Sequence, residues 1–134
     1  MQYFLAKTDP DTYSINDFIK EGTTLWDGVH NNAAILFIQK MRPKDLVYIY
    51  HSMSDKCIVG LAEVVDEPFE NKDDPRRSWA VHMKLIKTYK NPLKLSDIKA
   101  RDSMKDFALV RQSRLSTMLV PDKVAKELNI MLGE

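Results

Sequence analysis

Two neighbouring apolar segments constrain the fold of this chain most strongly. LVYIYH (46–51) and CIVGLAEVVDE (57–67) are rich in the β-branched and aromatic residues that favour strands. The five residues SMSDK that separate them are too few for a helical crossover between parallel strands. The pair therefore predicts an antiparallel hairpin, and Gly60 in its second strand predicts a bulge or a close backbone approach.

The remaining patterns predict short elements of both kinds. QYFLAK (2–7) and WAVHMKLIKTYK (79–90) favour strands, and Leu115–Val120 is predicted to be extended. Helices are predicted at SINDFIKEG with Ser14 as N-cap, after WDGVHN, in LSDIKA with Ser96 as N-cap, and after Pro121. About five or six strands and three to five helices indicate one α+β domain over residues 1–134, built on a strongly curved sheet or barrel.

Charge and cysteine content limit the possible partners and compartments. Twenty Lys and Arg against nineteen Asp and Glu give a formal net charge of +1. This balance argues against tight, non-specific duplex binding through many phosphates. A lone Cys57 excludes a disulfide framework and fits a reducing compartment. The N-terminus does not resemble a signal peptide, and no apolar run approaches the roughly 20 residues of a membrane helix. We expect a soluble, cytoplasmic protein without a membrane partner, nuclear if eukaryotic.

The sequence carries none of the common catalytic or cofactor motifs. HExxH, CxxC, GxGxxG and GxxxxGK[ST] are all absent. Cys57 lies in an apolar strand pattern, where a cysteine is usually inert core. We therefore expect no catalytic residues, no metal and no cofactor.

Three polar clusters combine flat rings with compact hydrogen-bonding groups: WDGVHN (26–31), YHS (50–52) and RQSRLS (111–116). That combination suits a pocket in which a flat heteroaromatic ligand stacks on a ring and is hydrogen-bonded at its edge. Each cluster also has a structural interpretation. Trp26 and His51 can be core residues, Asp27 or Asn31 can cap the following helix, and RQSRLS can be a surface turn.

Four blocks carry a resemblance to a known family: YFLAKTDPDTYS, WDGVHNNAAILFIQKMRPKDLVYIYHS, IVGLAEVVDEPF and RQSRLSTMLV. In this order and spacing they resemble the EVE domain family over nearly the whole chain. The resemblance implies a PUA-like fold, a curved β-barrel with several short flanking helices. It also implies a reader of modified bases in DNA or RNA rather than an enzyme. The expected ligand is a flipped or single-stranded base, either methylated or hydroxymethylated cytosine or methylated adenine.

The resemblance also assigns site residues. The implied base-binding residues are Lys7, Thr8, Trp26, Asp27, Val29, His30, Asn31, Tyr50, His51, Ser52, Gln112, Ser113, Leu115 and Ser116. Arg111 and Arg114 are the implied phosphate-binding residues. His30 stands where the family pattern has Arg, which removes a permanent charge and a forked donor.

Two other functions stay open. One is an enzyme acting on a nucleotide-like small molecule in the same pocket, and the other is a module that binds a protein partner. A reader predicts that replacing Trp26 with alanine abolishes base binding and leaves the fold largely intact.

Overall fold

The computed structural model describes residues 1–53 and 55–134, so Ser54 of the predicted SMSDK turn lies outside the described residues. The strands are β1 (Tyr3–Thr8), β2 (Thr23–Val29), β3 (Leu46–His51), β4 (Cys57–Val64), β5 (Phe69–Glu70), β6 (Trp79–Lys94) and β7 (Thr117–Val120). The helices are α1 (Ile15–Glu21), α2 (Asn32–Lys40), α3 (Leu95–Lys99), α4 (Ala108–Arg111) and α5 (Asp122–Met131), with a 3-10 turn at Asp102–Met104.

The strands form one mixed sheet in the order β2-β6-β4-β3-β1-β7, and β5 pairs with β6. The predicted hairpin is confirmed, because β3 and β4 are antiparallel neighbours with Leu46 opposite Glu63. Strands β1 and β3 are parallel, with Thr8 opposite His51. The sheet curls into a half-barrel, and residues near both of its edges, on β2 and β7, line one cavity. The predicted α+β class with a curved sheet is confirmed.

Gly60 marks a close approach, as predicted. A Cβ at this position would lie 2.8 Å from Cδ1 of Ile15 and 3.1 Å from the carbonyl oxygen of Lys87. The β3–β4 register also shifts between Ile49 and Tyr50, which is the predicted bulge. The absence of a side chain at Gly60 therefore lets the start of α1 pack directly on the sheet.

The N-terminus of α1 follows the sequence prediction. The Ser14 side chain accepts a hydrogen bond from the Asp17 amide, and the Asp17 carboxylate accepts one from the Ser14 amide. The rings of Tyr13 and Phe18 lie 6.1 Å apart across this start. Such a reciprocal cap fixes where the chain enters the helix.

Two local predictions are wrong. The helix predicted after WDGVHN is confirmed as α2 with Asn31 as its cap, but the interpretation of Asp27 as that cap is wrong, because Trp26–Val29 belongs to strand β2, which the sequence does not predict. The sequence also predicts a strand that ends at Lys90 and a helix cap at Ser96, but β6 continues to Lys94 and α3 has no side-chain cap. In both places strand pairing overrides the local signal, through β2 with β6 and the end of β6 with β4.

No described helix is long and apolar enough to cross a membrane.

Candidate functional site

A cavity of about 350 Å³ opens where the edge strand β2 approaches the end of β1 and the segment that leads into β7. The turn before α1 and the end of that helix close one side of it. The lining residues are Lys7, Thr8, Thr12, Tyr13, Glu21, Thr24, Leu25, Trp26, Asp27, Gly28, Val29, Ser116 and Thr117. The volume falls within the roughly 300–1,000 Å³ range of small-molecule pockets.

Trp26 is both a core residue and part of the cavity wall. Its side chain is only 7% exposed. The Tyr13 ring meets it edge-on, with centroids 6.1 Å apart at 89°, and the Phe18 ring lies 6.2 Å away. Trp26 is therefore a buried core residue, which was one interpretation of the sequence, and it also lines the cavity, as the resemblance implied. The half-buried Tyr13 supplies a second aromatic group to the same wall.

Tyr13 is held in place as a neutral donor. Its hydroxyl donates a hydrogen bond to the Glu21 carboxylate. Burial, and then this hydrogen bond, raise the pKa of Tyr13 to about 12. The Thr8 hydroxyl donates to the Tyr13 carbonyl over 2.8 Å, which ties the turn before α1 to the end of β1.

Lys7 connects the cavity to the turn at 111–116. Its Nζ donates to the Ser113 carbonyl at 2.9 Å and lies 5.8 Å from the centroid of the Tyr50 ring. Burial lowers the pKa of Lys7, and the nearby ammonium group of Lys56 adds to this effect. The Lys7 amide also donates to the Ser116 carbonyl at 2.8 Å.

A groove of about 360 Å³ lies between the N-terminus of α2 and the 111–115 turn. Its lining residues are Asn31, Ala33, Arg111, Gln112, Ser113, Arg114 and Leu115. Arg111 Nη1 pairs with Asp106 Oδ1 at 2.9 Å, and both side chains are largely exposed. The Asn31 carboxamide oxygen accepts from the Ala34 amide at 3.1 Å and so serves as the α2 cap.

The YHS residues (50–52) do not line the cavity, but they contact segments that do. Tyr50 is buried at 2% exposure. His51 Nε2 accepts a hydrogen bond from the Ile15 amide at 3.1 Å, at the first turn of α1. The Ser52 amide donates to the Thr8 carbonyl at 3.0 Å. The cluster therefore fixes the positions of α1 and the end of β1.

His30 binds a neighbouring loop and is also outside the cavity lining. Its Nε2 lies 2.7 Å from Asp74 Oδ2, and the same oxygen accepts from the buried Ser78 hydroxyl at 2.8 Å. The Arg76 amide donates to the other Asp74 oxygen at 2.9 Å. These hydrogen bonds lower the pKa of Asp74 to about 2, and the bond from the Arg76 amide has the largest effect, followed by those from His30 and Ser78. The imidazole thus joins the end of β2 to the loop before β6.

The sequence matches the family model of the EVE domain over residues 2–131.

The chain belongs to the EVE domain family.

Several similar proteins share this EVE fold. Thymocyte nuclear protein 1 from rat is 33% identical in an alignment 90 residues long, and this match covers 54% of this chain. This chain spans 40% of the rat protein and 66% of its mouse counterpart in those matches. The solution structure of a Rhodopseudomonas palustris protein matches with a TM-score of 0.91 at 33% identity, covering 99% of this chain and 94% of the other.

A crystal structure of human THYN1 in complex with DNA containing 5-methylcytosine matches with a TM-score of 0.89. It is 21% identical and covers 100% of this chain and 99% of the human chain. At this identity the likeness concerns the fold. The PUA-like architecture implied by the sequence is therefore confirmed.

The predicted site residues of this EVE domain fall into three groups. Lys7, Thr8, Trp26, Asp27, Val29 and Ser116 line the cavity. Asn31, Arg111, Gln112, Ser113, Arg114 and Leu115 line the groove. His30, Tyr50, His51 and Ser52 line neither.

Seven of the thirteen cavity-lining residues are not among those implied by the sequence: Thr12, Tyr13, Glu21, Thr24, Leu25, Gly28 and Thr117. Tyr13 comes directly before the predicted N-cap Ser14, and its contact with Trp26 becomes evident only in the structure. Thr24 and Leu25 belong to β2, the strand that the sequence did not predict. A strand signal in TTLW, three β-favouring residues in four, was the clue that could have revealed them.

We expect His51 to make the stability of this domain sensitive to mild acid. Its Nε2 accepts the Ile15 hydrogen bond only as a neutral ring, and burial lowers its pKa below the usual 6.5, against a smaller opposing effect of Asp55. Above about pH 6.5 both the folded and unfolded forms are neutral at this ring, so its full contribution is present. As the pH falls below that value, the unfolded chain binds the proton first, and stability is lost.

The measurement is urea unfolding of wild type and His51→Gln between pH 7.5 and about 5, around the ordinary histidine pKa. We expect the wild type to lose more stability than His51→Gln over this range, by less than about 1.4 kcal/mol per pH unit, the limit for one proton. His30 and His82 are present in both proteins, so their contributions cancel. Parallel pH profiles of the two proteins would contradict the assignment.

Proposed function

We propose that this EVE domain is a binding module for a modified nucleic-acid base, and that the base enters the cavity between β2 and the end of β1. The observation that carries the proposal is the composition of that cavity. The aromatic side chains of Trp26 and Tyr13 line it together with an exposed carboxylate, Asp27, and a cationic donor, Lys7. A flat heterocycle with both donors and acceptors at its edge fits such a lining.

Methylated cytosine is the first ligand to test. The human THYN1 complex, in which the same fold was solved with DNA containing 5-methylcytosine, supports this choice. The exocyclic amine of cytosine is a donor that carboxylates accept, which suits Asp27. Burying the extra methyl group contributes about 0.8 kcal/mol, or roughly a fourfold preference over cytosine. Hydroxymethylated cytosine and methylated adenine, in DNA or RNA, are the comparison ligands.

Single-stranded ligands should bind more tightly than duplexes. Extracting a base from a paired duplex costs a few kcal/mol. Stacking on an aromatic group returns about 1–3 kcal/mol per base. With a formal charge of only +1, the chain has little general electrostatic attraction to DNA or RNA that could offset the remaining cost of extracting the base.

The test is a titration of the protein with short single strands that contain one plain or modified base, followed by fluorescence anisotropy. We expect saturable binding with a preference for a modified base, and a loss of about 5- to 150-fold for Asp27→Asn, equivalent to about 1–3 kcal/mol. Asn keeps the size of the side chain but replaces one acceptor with a donor.

Asp73→Asn is the matched control, because it makes the same charge change at an exposed residue outside the cavity. Equal affinities of the Asp27→Asn and Asp73→Asn proteins would remove Asp27 from the site. A wild-type protein that binds no member of the panel would overturn the proposed function.

A further inference from the structure

A third concave surface lies beside the start of β4, and none of its lining residues is among the site residues assigned above. It has a volume of about 380 Å³ between the residues that lead into β4 and the junction of β6 with α3. Its lining residues are Asp55, Lys56, Lys94, Leu95, Ser96 and Lys99. We call Lys56, Lys94 and Lys99 the lysine cluster.

The lysine cluster carries charge that is not neutralised locally. Within residues 1–53 and 55–134, none of its three ammonium groups forms an ion pair with a carboxylate. By contrast, Lys84 and Lys87 of β6 pair with Glu63 and Glu134. Asp55 lines the same surface, so the six lining residues have a formal charge of +2, from three lysines and one aspartate. In a chain with an overall charge of +1, this is a local concentration of positive charge.

The backbone fixes the positions of these lysines. The Leu95 amide donates to the Lys56 carbonyl at 2.9 Å, which joins the start of β4 to the start of α3. Lys94 is opposite Cys57 in the β4–β6 ladder. Two of the three lysines therefore start from paired backbone positions, so the cluster is a fixed feature of the surface.

The lysine cluster lies on the strands next to the end of β1 that lines the cavity. Thr8 of the cavity lining is opposite His51, His51 is opposite Cys57, and Cys57 is opposite Lys94, so one row of residues crosses the sheet from the cavity to the cluster. Lys56 lies near enough to Lys7 to lower the pKa of Lys7, although burial of Lys7 contributes more. Lys7 lines the cavity and is tied to the 111–116 turn through Ser113. A strand whose base occupies the cavity would therefore meet positive charge if it continued towards β4.

We propose that the lysine cluster binds backbone phosphates of the nucleic-acid strand that flanks the nucleotide held in the cavity. This inference rests on the proposed function. Lysine ammonium groups suit it because phosphate contacts are electrostatic and independent of sequence. The row of paired residues from the end of β1 to Lys94 favours a nucleic acid over an acidic protein, because a strand whose base occupies the cavity can extend along it to the cluster.

The experiment compares the wild type with the triple variant Lys56→Gln, Lys94→Gln, Lys99→Gln. The first probe is a short single strand with one 5-methylcytosine, titrated between about 50 and 200 mM salt, where phosphate contacts change affinity steeply. The second probe is the free 5-methylcytosine nucleoside, which has no phosphate. We expect weaker binding of the strand, a slope of log K against log salt that is shallower by up to about 2, at about 0.7 per lost contact, and an unchanged nucleoside affinity.

The control is the triple variant Lys105→Gln, Lys123→Gln, Lys126→Gln. It removes the same charge from exposed lysines that line none of the surfaces described above. We expect it to keep the wild-type slope. Circular dichroism spectra of both variants establish that they are folded.

The outcomes separate this inference from the proposed function. Equal slopes for the two triple variants would overturn the inference, even if the modified base is still preferred. If the lysine-cluster variant had a shallower slope of log K against log salt but the wild type showed no preference for a modified base, the inference would be supported and the proposed function overturned. Polyglutamate is a third probe, which represents an acidic protein. If the lysine-cluster variant bound polyglutamate more weakly than the wild type but bound the strand equally well, the surface would be assigned to an acidic protein and the inference would be overturned. No binding of either ligand by the wild type would overturn both proposals.

Discussion

Replacing Trp26 with alanine should lower the free energy of unfolding by about 3–5 kcal/mol. The indole is 7% exposed and packs against both Tyr13 and Phe18, so its removal leaves a large void between β2 and α1. Since a domain of ordinary stability has only about 5–15 kcal/mol, this is a large part of the total. Urea unfolding followed by circular dichroism measures the change.

This expectation corrects the one made from the sequence, that Trp26→Ala would leave the fold largely intact. Loss of base binding in that variant would not distinguish a ligand contact from a damaged core. Trp26→Phe keeps an aromatic ring and should cost less, so it is the better variant for binding studies. An unfolding midpoint of Trp26→Ala equal to that of the wild type would show that the ring does not contribute to the core.

Replacing Asp45 with alanine should lower the free energy of unfolding by about 2–3 kcal/mol. Asp45 is only 4% exposed. Its carboxylate accepts hydrogen bonds from the Gln2 amide at 2.9 Å and the Arg42 amide at 3.0 Å. It also accepts from the Gln2 side chain at 3.2 Å. The substitution leaves backbone donors at the start of β1 and before β3 without this acceptor.

Asp45→Ala also serves as a stability control for the cavity, because Asp45 lines neither the cavity nor the groove. At a temperature where the variant is folded, we expect its affinity for modified oligonucleotides to equal that of the wild type. Asp45→Asn, which keeps one carbonyl acceptor, should lose less stability. A change of less than about 0.5 kcal/mol for Asp45→Ala, the usual size for an ordinary surface site, would contradict the role given to its hydrogen bonds.

Local patterns predicted most of the regular structure of this EVE domain. The β3–β4 hairpin follows from two β-rich runs with a short connection. The cap of α1 follows from Ser14 and Asp17, since both partners lie within three residues of each other. Asn31 was one of two candidate caps for α2, and the structure selects it. Such features depend on residues that are neighbours in sequence, so a single chain is enough to read them.

Strand β2 and the length of β6 could not be read in this way. In β2 only Trp26 and Val29 are buried, and they lie three residues apart. The strand therefore lacks the alternation of buried and exposed residues that would predict it from the sequence. Its strand conformation depends on pairing with β6, whose paired residues lie 50 to 61 positions further along the chain. The end of β6 likewise depends on Cys57 and Ile58 of β4, which hold Asn91–Lys94 in the sheet despite Pro92.

The site divides in the same way. The residue types establish which groups are available, namely aromatic, carboxylate, amide and cationic side chains in three clusters, and they carry the resemblance to the family. Which of these groups meet depends on contacts between distant segments. The tertiary structure brings Lys7, Trp26 and Ser116 to one cavity, adds Tyr13 to the same wall, and turns His51 to the amide of Ile15. Burial and hydrogen bonding between these segments are satisfied only when the sheet curls, and no spacing of residues within one segment predicts that curvature.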